Sequence, residues 1–119
     1  MSTLMTMRIP LGSEMMTTVR LTTGGLCSLV GLGMDESEDC KVCVTESLLL
    51  LLHGGFSHAE ITFTEDEEGL CVRVTGEGER ETAYTMPEDE ISAALLEALA
   101  REIAVEKSEG GTSAVSFRF

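Results

Sequence analysis

The pattern of apolar and polar positions divides this chain into segments of two periodicities. Alternation with a period of two is typical of a strand with one buried face, and apolar residues spaced three or four apart are typical of a helix packed on a core. The alternating segments are residues 3–10, 58–66, 69–75 and 114–119, and the helical segments are residues 13–30, 35–54 and 85–103. The sequence therefore predicts four strands and three helices.

Local signals mark several boundaries. Pro10 ends the first strand, because proline cannot donate a hydrogen bond to a sheet. Asp35 or Ser37 is placed to cap the second helix, which Gly54 ends. Thr85–Glu88 has the spacing of a capping box and opens the third helix. The apolar residues predicted to form the core stripe of this helix are Ile91, Leu95, Leu99 and Ile103.

The order strand, helix, helix, hairpin, helix, strand predicts the fold class. An acidic turn joins the two strands of the hairpin, and the last strand presents an apolar residue at every second position. These elements suit an α+β, two-layer sandwich in which helices cover one face of a mostly antiparallel, mixed sheet. With 119 residues, the chain is expected to form one domain, residues 1–119.

The second helix contains an unusual apolar run. Leu48–Leu52 is an unbroken stretch of leucine, which covers all sides of a helix and predicts burial on nearly every face. Glu46 precedes this run, so its carboxylate enters an apolar environment and requires a hydrogen-bonding partner. The candidate partners are an amide group or an arginine, either Arg20 or Arg73. His53 follows the run, and a histidine at a helix C-terminus commonly compensates the helix dipole.

The composition restricts the classes of partner. Eight basic and 21 acidic residues give a net charge of -13, which disfavours nucleic acid and anionic lipid and makes a basic or neutral protein partner the easier expectation. No charged N-terminal region precedes an apolar segment, and no apolar run approaches the roughly 20 residues of a membrane span. These features therefore predict a cytoplasmic protein without a membrane or nucleic-acid partner.

The four cysteines allow two interpretations. Cys40 and Cys43 have the spacing of a redox or zinc-binding pair, but a four-ligand zinc site would need further ligands from distant segments. Because the pair lies within a helical pattern, small apolar thiols on one helical face are the simpler interpretation. We therefore expect no metal site, and keep a thiol or metal protein built on these two cysteines as a minor alternative.

Several motifs resemble those of a known family. The stretches Pro10–Glu14, Val19–Arg20 and Met34–Phe56 are similar to the anti-sigma-factor serine kinases, a branch of the GHKL (histidine kinase-like) ATPase superfamily. In that family, the central helix carries a Glu-x-x-x-Asn motif, whose Glu is the general base and whose Asn holds Mg²⁺ on ATP. The resemblance matches Glu46 to the base, and it covers nearly the whole chain. It implies a reduced histidine kinase-like ATPase fold.

The chain departs from the family at each nucleotide-binding motif. Leu50 stands where the metal-binding Asn is expected. The family's Asp-x-Gly-x-Gly motif, which reads adenine, corresponds to residues 76–80, where Gly76 replaces the Asp, Gly78 matches and Arg80 replaces the last Gly. A later glycine motif aligns with residues 90–92, which include a carboxylate. Among the matched positions, Gly111 and Thr112 keep the Gly-Thr pair that precedes the final strand.

These losses shape the functional prediction. The resemblance, with its metal ligand and adenine-reading Asp missing, implies a vestigial ATP site, formed by Glu46, Leu50, Gly76, Gly78, Gly111 and Thr112. We expect no catalytic residue and no cofactor, with Glu46 as a vestigial base. The predicted function is a non-catalytic regulatory module that binds a sigma factor or an anti-anti-sigma protein. The alternative is a divergent kinase that uses Mg-ATP. The family's habit of pairing implies a possible homodimer.

Overall fold

The computed structural model describes residues 2–119. Five strands form one sheet in the order β1-β2-β3-β5-β4, and three helices accompany it. The elements are β1 (Ser2–Pro10), α1 (Met16–Leu29), α2 (Met34–His53), β2 (Phe56–Asp66), β3 (Gly69–Arg80), α3 (Glu88–Leu99), β4 (Arg101–Ser108) and β5 (Gly111–Arg118). A 3₁₀ turn, Ser13–Met15, precedes α1. The predicted α+β class is confirmed.

All four strand pairings are antiparallel. The expectation of a mixed sheet is therefore corrected, because no parallel pair occurs within residues 2–119. Cross-strand partners align the apolar side chains into continuous rows on one face. One row is Phe63, Val72 and Phe117, and the next is Ile61, Val74 and Val115, all fully buried. Phe117 and Phe119 also stack edge to face, with their ring centroids 5.9 Å apart.

Helix α2 lies at the centre of the helical layer. It contacts α1 on one side, α3 on the other, and strands β2, β3 and β5 beneath. Leu48, Leu50 and Leu51 are buried, and the other two leucines of the run are half-buried. Since full burial of a leucine side chain is worth roughly 1.5–3 kcal/mol, this run is a main source of stability. The predicted burial of the leucine run is confirmed.

The boundaries of α2 differ from the prediction. Gly33 occupies the N-cap position with an extended backbone, and no side chain caps the helix. Asp35 lies in the first turn, where its charge still complements the helix dipole. The helix ends at Gly54, as predicted, and the chain then reverses at Gly55, whose φ of +94° suits glycine.

The largest correction concerns residues 100–108. The apolar spacing predicts that the third helix continues to Ile103, whereas α3 ends at Leu99 and Arg101–Ser108 forms the edge strand β4. The core face of α3 is also rotated, because Ser92 and Leu96 are buried while Ile91 is exposed. Residues 101–108 form a strand because they pair with β5 across the Glu109–Gly110 turn. The residues that favour the strand therefore lie outside residues 101–108 themselves.

Candidate functional site

Glu46 joins two helices. Its Oε1 accepts a hydrogen bond of 2.8 Å from Oγ of Ser92, which is itself buried in α3. The expected arginine partners lie elsewhere: Arg73 pairs with Glu106 at 2.8 Å, and Arg20 is exposed on α1. The carboxylate thus fastens α2 to α3. The residue matched to a catalytic base has a structural partner.

A cavity of about 280 Å³ opens one turn further along α2. Helices α2 and α3 form two of its walls and the β4–β5 hairpin forms the third, so we call it the hairpin groove. It is lined by Leu50, His53, Gly54, Tyr84, Thr85, Asp89, Glu90, Ala93, Val105, Lys107, Gly110, Gly111 and Thr112. Three of the six residues assigned to a vestigial nucleotide site, Leu50, Gly111 and Thr112, therefore meet in one cavity. Glu46 lies on the same helix, one turn before it.

His53 and Asp89 form a hydrogen-bonded pair on the groove wall. The distance from His53 Nδ1 to Asp89 Oδ1 is 2.5 Å, and a carboxylate can only accept, so the imidazole donates. The other oxygen of Asp89 accepts a hydrogen bond of 3.0 Å from the backbone N–H of Met86. This contact replaces the predicted Thr85–Glu88 capping box. Tyr84 packs on the His53 ring, with centroids 5.2 Å apart.

Arg80 connects two elements that form the groove. Its Nε donates to the Gly54 carbonyl at 2.9 Å, and its two terminal nitrogens donate to Oγ and the carbonyl of Ser108 at 2.7 and 2.6 Å. The guanidinium also lies 4.3 Å from the ring centroid of Phe56. Through these contacts Arg80 ties the C-terminus of α2 to the β4–β5 hairpin. A cation at this helix end is also favoured by the helix dipole.

The glycines matched to nucleotide motifs have packing roles. A Cβ added to Gly111 would lie 2.8 Å from Gly54 Cα, so the end of α2 can approach β5 only without a side chain there. Gly76 and Gly78 lie on β3, outside the residues that line the groove. A Cβ on Gly76 would lie 2.4 Å from the Phe56 ring, and Gly78 has a φ of +79°. Close packing and backbone conformation account for all three.

The charges of the groove are mostly negative. Asp89 and Glu90 belong to the first turn of α3, where phosphate-binding proteins instead expose free backbone amides. Lys107 is the one cation among the lining residues. An aliphatic side chain, Leu50, faces the cavity where the resemblance requires a magnesium ligand. These features suit an apolar or cationic group better than a polyphosphate.

Three thiols lie between α1 and α2. These helix thiols, Cys27, Cys40 and Cys43, are buried, and Cys71 on β3 is half-buried; all four are free. A hydrogen bond from Cys40 lowers the pKa of Cys27 to about 7, whereas burial raises the pKa of Cys43 to about 12. Within residues 2–119, no group of three or more His, Cys, Asp or Glu side chains is arranged to hold a metal ion. The thiols contribute to the helix interface.

Several groove residues carry no motif that identifies them in the sequence. Asp89 was hidden in the acidic stretch at the start of α3, and Tyr84 and Lys107 had no motif. The signal available for Asp89 was its spacing of three residues from Met86, which suits a side chain that accepts a hydrogen bond from the backbone at the start of a helix.

No helix within residues 2–119 is long and apolar enough to cross a membrane. Comparison with known families finds no matching model, and comparison with curated proteins finds no match.

Proposed function

We propose that this protein is a non-catalytic regulatory module, derived from an anti-sigma-factor kinase of the GHKL superfamily, that binds a sigma factor or an anti-anti-sigma protein. The observation that carries the proposal is the composition of the hairpin groove. Leu50, Gly111 and Thr112 line it together with two carboxylates of α3, and this lining suits phosphate and Mg²⁺ poorly. A partner of this class acts in the cytoplasm.

The contact between Glu46 and Ser92 supports the loss of catalysis. A general base must lie within hydrogen-bond reach of the proton that it removes. Here one carboxylate oxygen accepts a hydrogen bond from a buried serine, and this bond holds two helices together. A structural role for Glu46 in joining α2 and α3 supports the proposal of a non-catalytic module.

Nucleotide binding provides the first test. Thermal unfolding is measured with and without millimolar Mg-ATP and Mg-ADP, since a ligand at about 100 times its Kd stabilises a protein by roughly 2.7 kcal/mol. We expect no shift in the unfolding temperature. The control is Glu46→Gln, which keeps an acceptor for Ser92 but removes the base. A shift in the wild-type protein, with phosphate transfer to a partner that Glu46→Gln abolishes, would establish the divergent serine kinase instead.

The second test concerns the partner. Binding of purified sigma factors and anti-anti-sigma proteins from the source organism is measured in the absence of nucleotide. We expect one of them to bind saturably and to change the transcription of a reporter that depends on the sigma factor. Lack of binding by every member of both classes would contradict the proposed partner.

A homodimer is also part of the proposal. Residues 1–34, a segment that includes β1 and α1, contain two basic residues and one acid, whereas residues 35–119 contain six basic residues and 20 acids. Two copies therefore repel each other least through the first third of the chain. Leu21 and Leu29 are exposed on α1. We expect a dimeric mass by light scattering that Leu29→Glu converts to a monomer; a monomeric wild-type protein would contradict this part.

A further inference from the structure

Exposed apolar side chains lie at the hairpin groove. Tyr84 and Val105 line it and are 51% and 40% exposed, and Met86, which follows the lining residue Thr85, is 36% exposed. These are three of the eight large hydrophobic side chains that are exposed within residues 2–119. Such a concentration next to a cavity is typical of an interaction site.

Free carboxylates accompany this apolar surface. Glu88 and Glu90 are exposed at the start of α3 and have no basic partner within residues 2–119. Asp89, between them, is engaged by His53 and by the backbone of Met86. Lys107 is the single cation on the groove wall, and the part of the chain that forms the groove has a strong excess of acids. The local potential therefore attracts positive charge.

The size of the groove limits what enters it. Pockets that enclose drug-sized molecules have volumes of roughly 300–1,000 Å³, whereas this cavity has about 280 Å³. It is suited to one or two side chains of a larger partner. Leu50, Ala93 and Val105 provide apolar walls for such an anchor, and the surrounding apolar side chains extend the contact beyond the cavity.

We propose that the hairpin groove docks a segment of a partner protein that carries one or two apolar anchor side chains flanked by lysine or arginine. The anchors fill the cavity, and a flanking cation pairs with Glu90, which lines the groove. This inference rests on the proposed function and specifies its partner chemistry and its surface. Charge complementarity selects such a segment over a second copy of this chain, because the net charge of each copy is -13.

The probe is a synthetic peptide with adjacent leucine and phenylalanine flanked on each side by two lysines, titrated into the ¹⁵N-labelled full chain. Two matched peptides replace the lysines by glutamate or the apolar pair by serine. We expect saturable amide shifts at Ala93, Val105 and Gly111 with the first peptide alone. Equal shifts with the glutamate or serine peptide, no saturable shifts with the first, or shifts centred on another surface would overturn the proposal.

Two variants test the charged and the apolar contacts of the groove separately. Glu90→Lys reverses an exposed charge on the groove rim, and we expect about ten-fold weaker binding, which corresponds to about 1.4 kcal/mol. Glu67→Lys makes the same change in the exposed β2–β3 turn, outside the residues that line the groove, and serves as the matched control. Val105→Thr keeps a β-branched residue on β4 while removing apolar contact. Equal weakening by Glu90→Lys and Glu67→Lys would show a non-specific charge effect and refute the proposal.

Binding experiments with the natural partner distinguish a failure of the docking site from a failure of the proposed function. If a sigma factor or anti-anti-sigma protein binds and Glu90→Lys and Val105→Thr do not weaken it, the docking site is wrong while the proposed function stands. If Mg-ATP binds in the groove with productive phosphate transfer, the proposed function itself fails. Formation of open-ended assemblies by the chain alone, suppressed by Glu90→Lys, would instead identify a second copy as the occupant.

Discussion

Replacing Arg80 by alanine tests whether one side chain holds the hairpin groove together. The guanidinium donates three hydrogen bonds, one to the carbonyl of Gly54 and two to Ser108, and packs on the ring of Phe56. Arg80→Ala would remove all of these contacts and leave the carbonyl of Gly54, a buried residue at the end of α2, without this donor. The change is confined to one residue but affects two walls of the groove.

The expected magnitude follows from the contacts. Hydrogen bonds to a charged group contribute roughly 1.5–3 kcal/mol each, and an exposed cation–π contact about 0.5–1 kcal/mol. These values do not add in full, because the side chain is 17% exposed and can exchange partners with water. The ion pair with Glu109 at 3.7 Å is at the surface and adds little. We therefore expect Arg80→Ala to lower the free energy of unfolding by about 3 kcal/mol.

Urea unfolding followed by circular dichroism measures this change. With an m-value of about 1.5–2 kcal/mol/M, a loss of about 3 kcal/mol lowers the midpoint by about 1.5–2 M. Arg80→Lys keeps the charge but not the planar arrangement of donors, so it should lose roughly half as much. Arg101→Ala is the control, because that exposed side chain makes a single bond of 3.2 Å to the Glu68 carbonyl. An Arg80→Ala midpoint within the error of the Arg101→Ala midpoint would refute the assigned role.

Three further predictions concern other parts of the fold. Gly25→Ala should stabilise the protein by about 1 kcal/mol, since alanine favours a helix and a Cβ there meets nothing within 4 Å; Gly24→Ala should gain less because its Cβ would displace Lys41, and equal unfolding midpoints for both variants would contradict this. In the native protein Cys71 should react with a thiol reagent first, while the helix thiols should react only after unfolding in guanidinium; rapid reaction of two or more thiols would contradict their burial. A backbone hydrogen bond from Glu68 and the neighbouring Arg118 lower the pKa of Asp66 in the folded state. The contribution of Asp66 to stability is therefore present above the unfolded pKa of about 3.9 and is lost as the pH falls through the lower folded pKa. Asp66→Asn should therefore flatten the acid limb of the pH–stability curve, measured by urea unfolding at a series of pH values. An unchanged acid limb would argue against the interaction.

The sequence predicted most elements because their cause is local. The alternation in β2, β3 and β5 and the apolar run of α2 each follow from burial of one surface of a regular element. Residues 100–108 were assigned wrongly for a corresponding reason. Ile103 continues a spacing of four from Leu99, and no glycine or proline ends the helix, so the local pattern favoured α-helix. The strand forms because β5 offers it a hydrogen-bonding edge, and that edge is remote from the pattern of the segment itself.

The candidate site was predictable only in part. The pattern indicated a half-buried Glu46, but its partner is Ser92, which lies 46 positions further along the chain. The sequence brought Gly76 and Gly78 into the same site as Leu50, whereas the structure places them against Phe56 and the start of β2. Arg80, considered only as a replaced glycine, is the side chain that joins two walls of the groove. Each of these contacts depends on segments distant in sequence.

The sequence by itself determined the α+β class, the buried central helix with its leucine run, and the excess of acidic charge. These follow from residue type and spacing, which fix burial and charge without reference to distant segments. Only the tertiary structure decided that the edge strand β4 exists, that Glu46 bonds to Ser92, and that acids and exposed apolar side chains surround one cavity. Hydrogen bonds, cross-strand pairing and cavity shape depend on contacts between residues that are distant in sequence. The periodicity of a segment does not specify those contacts.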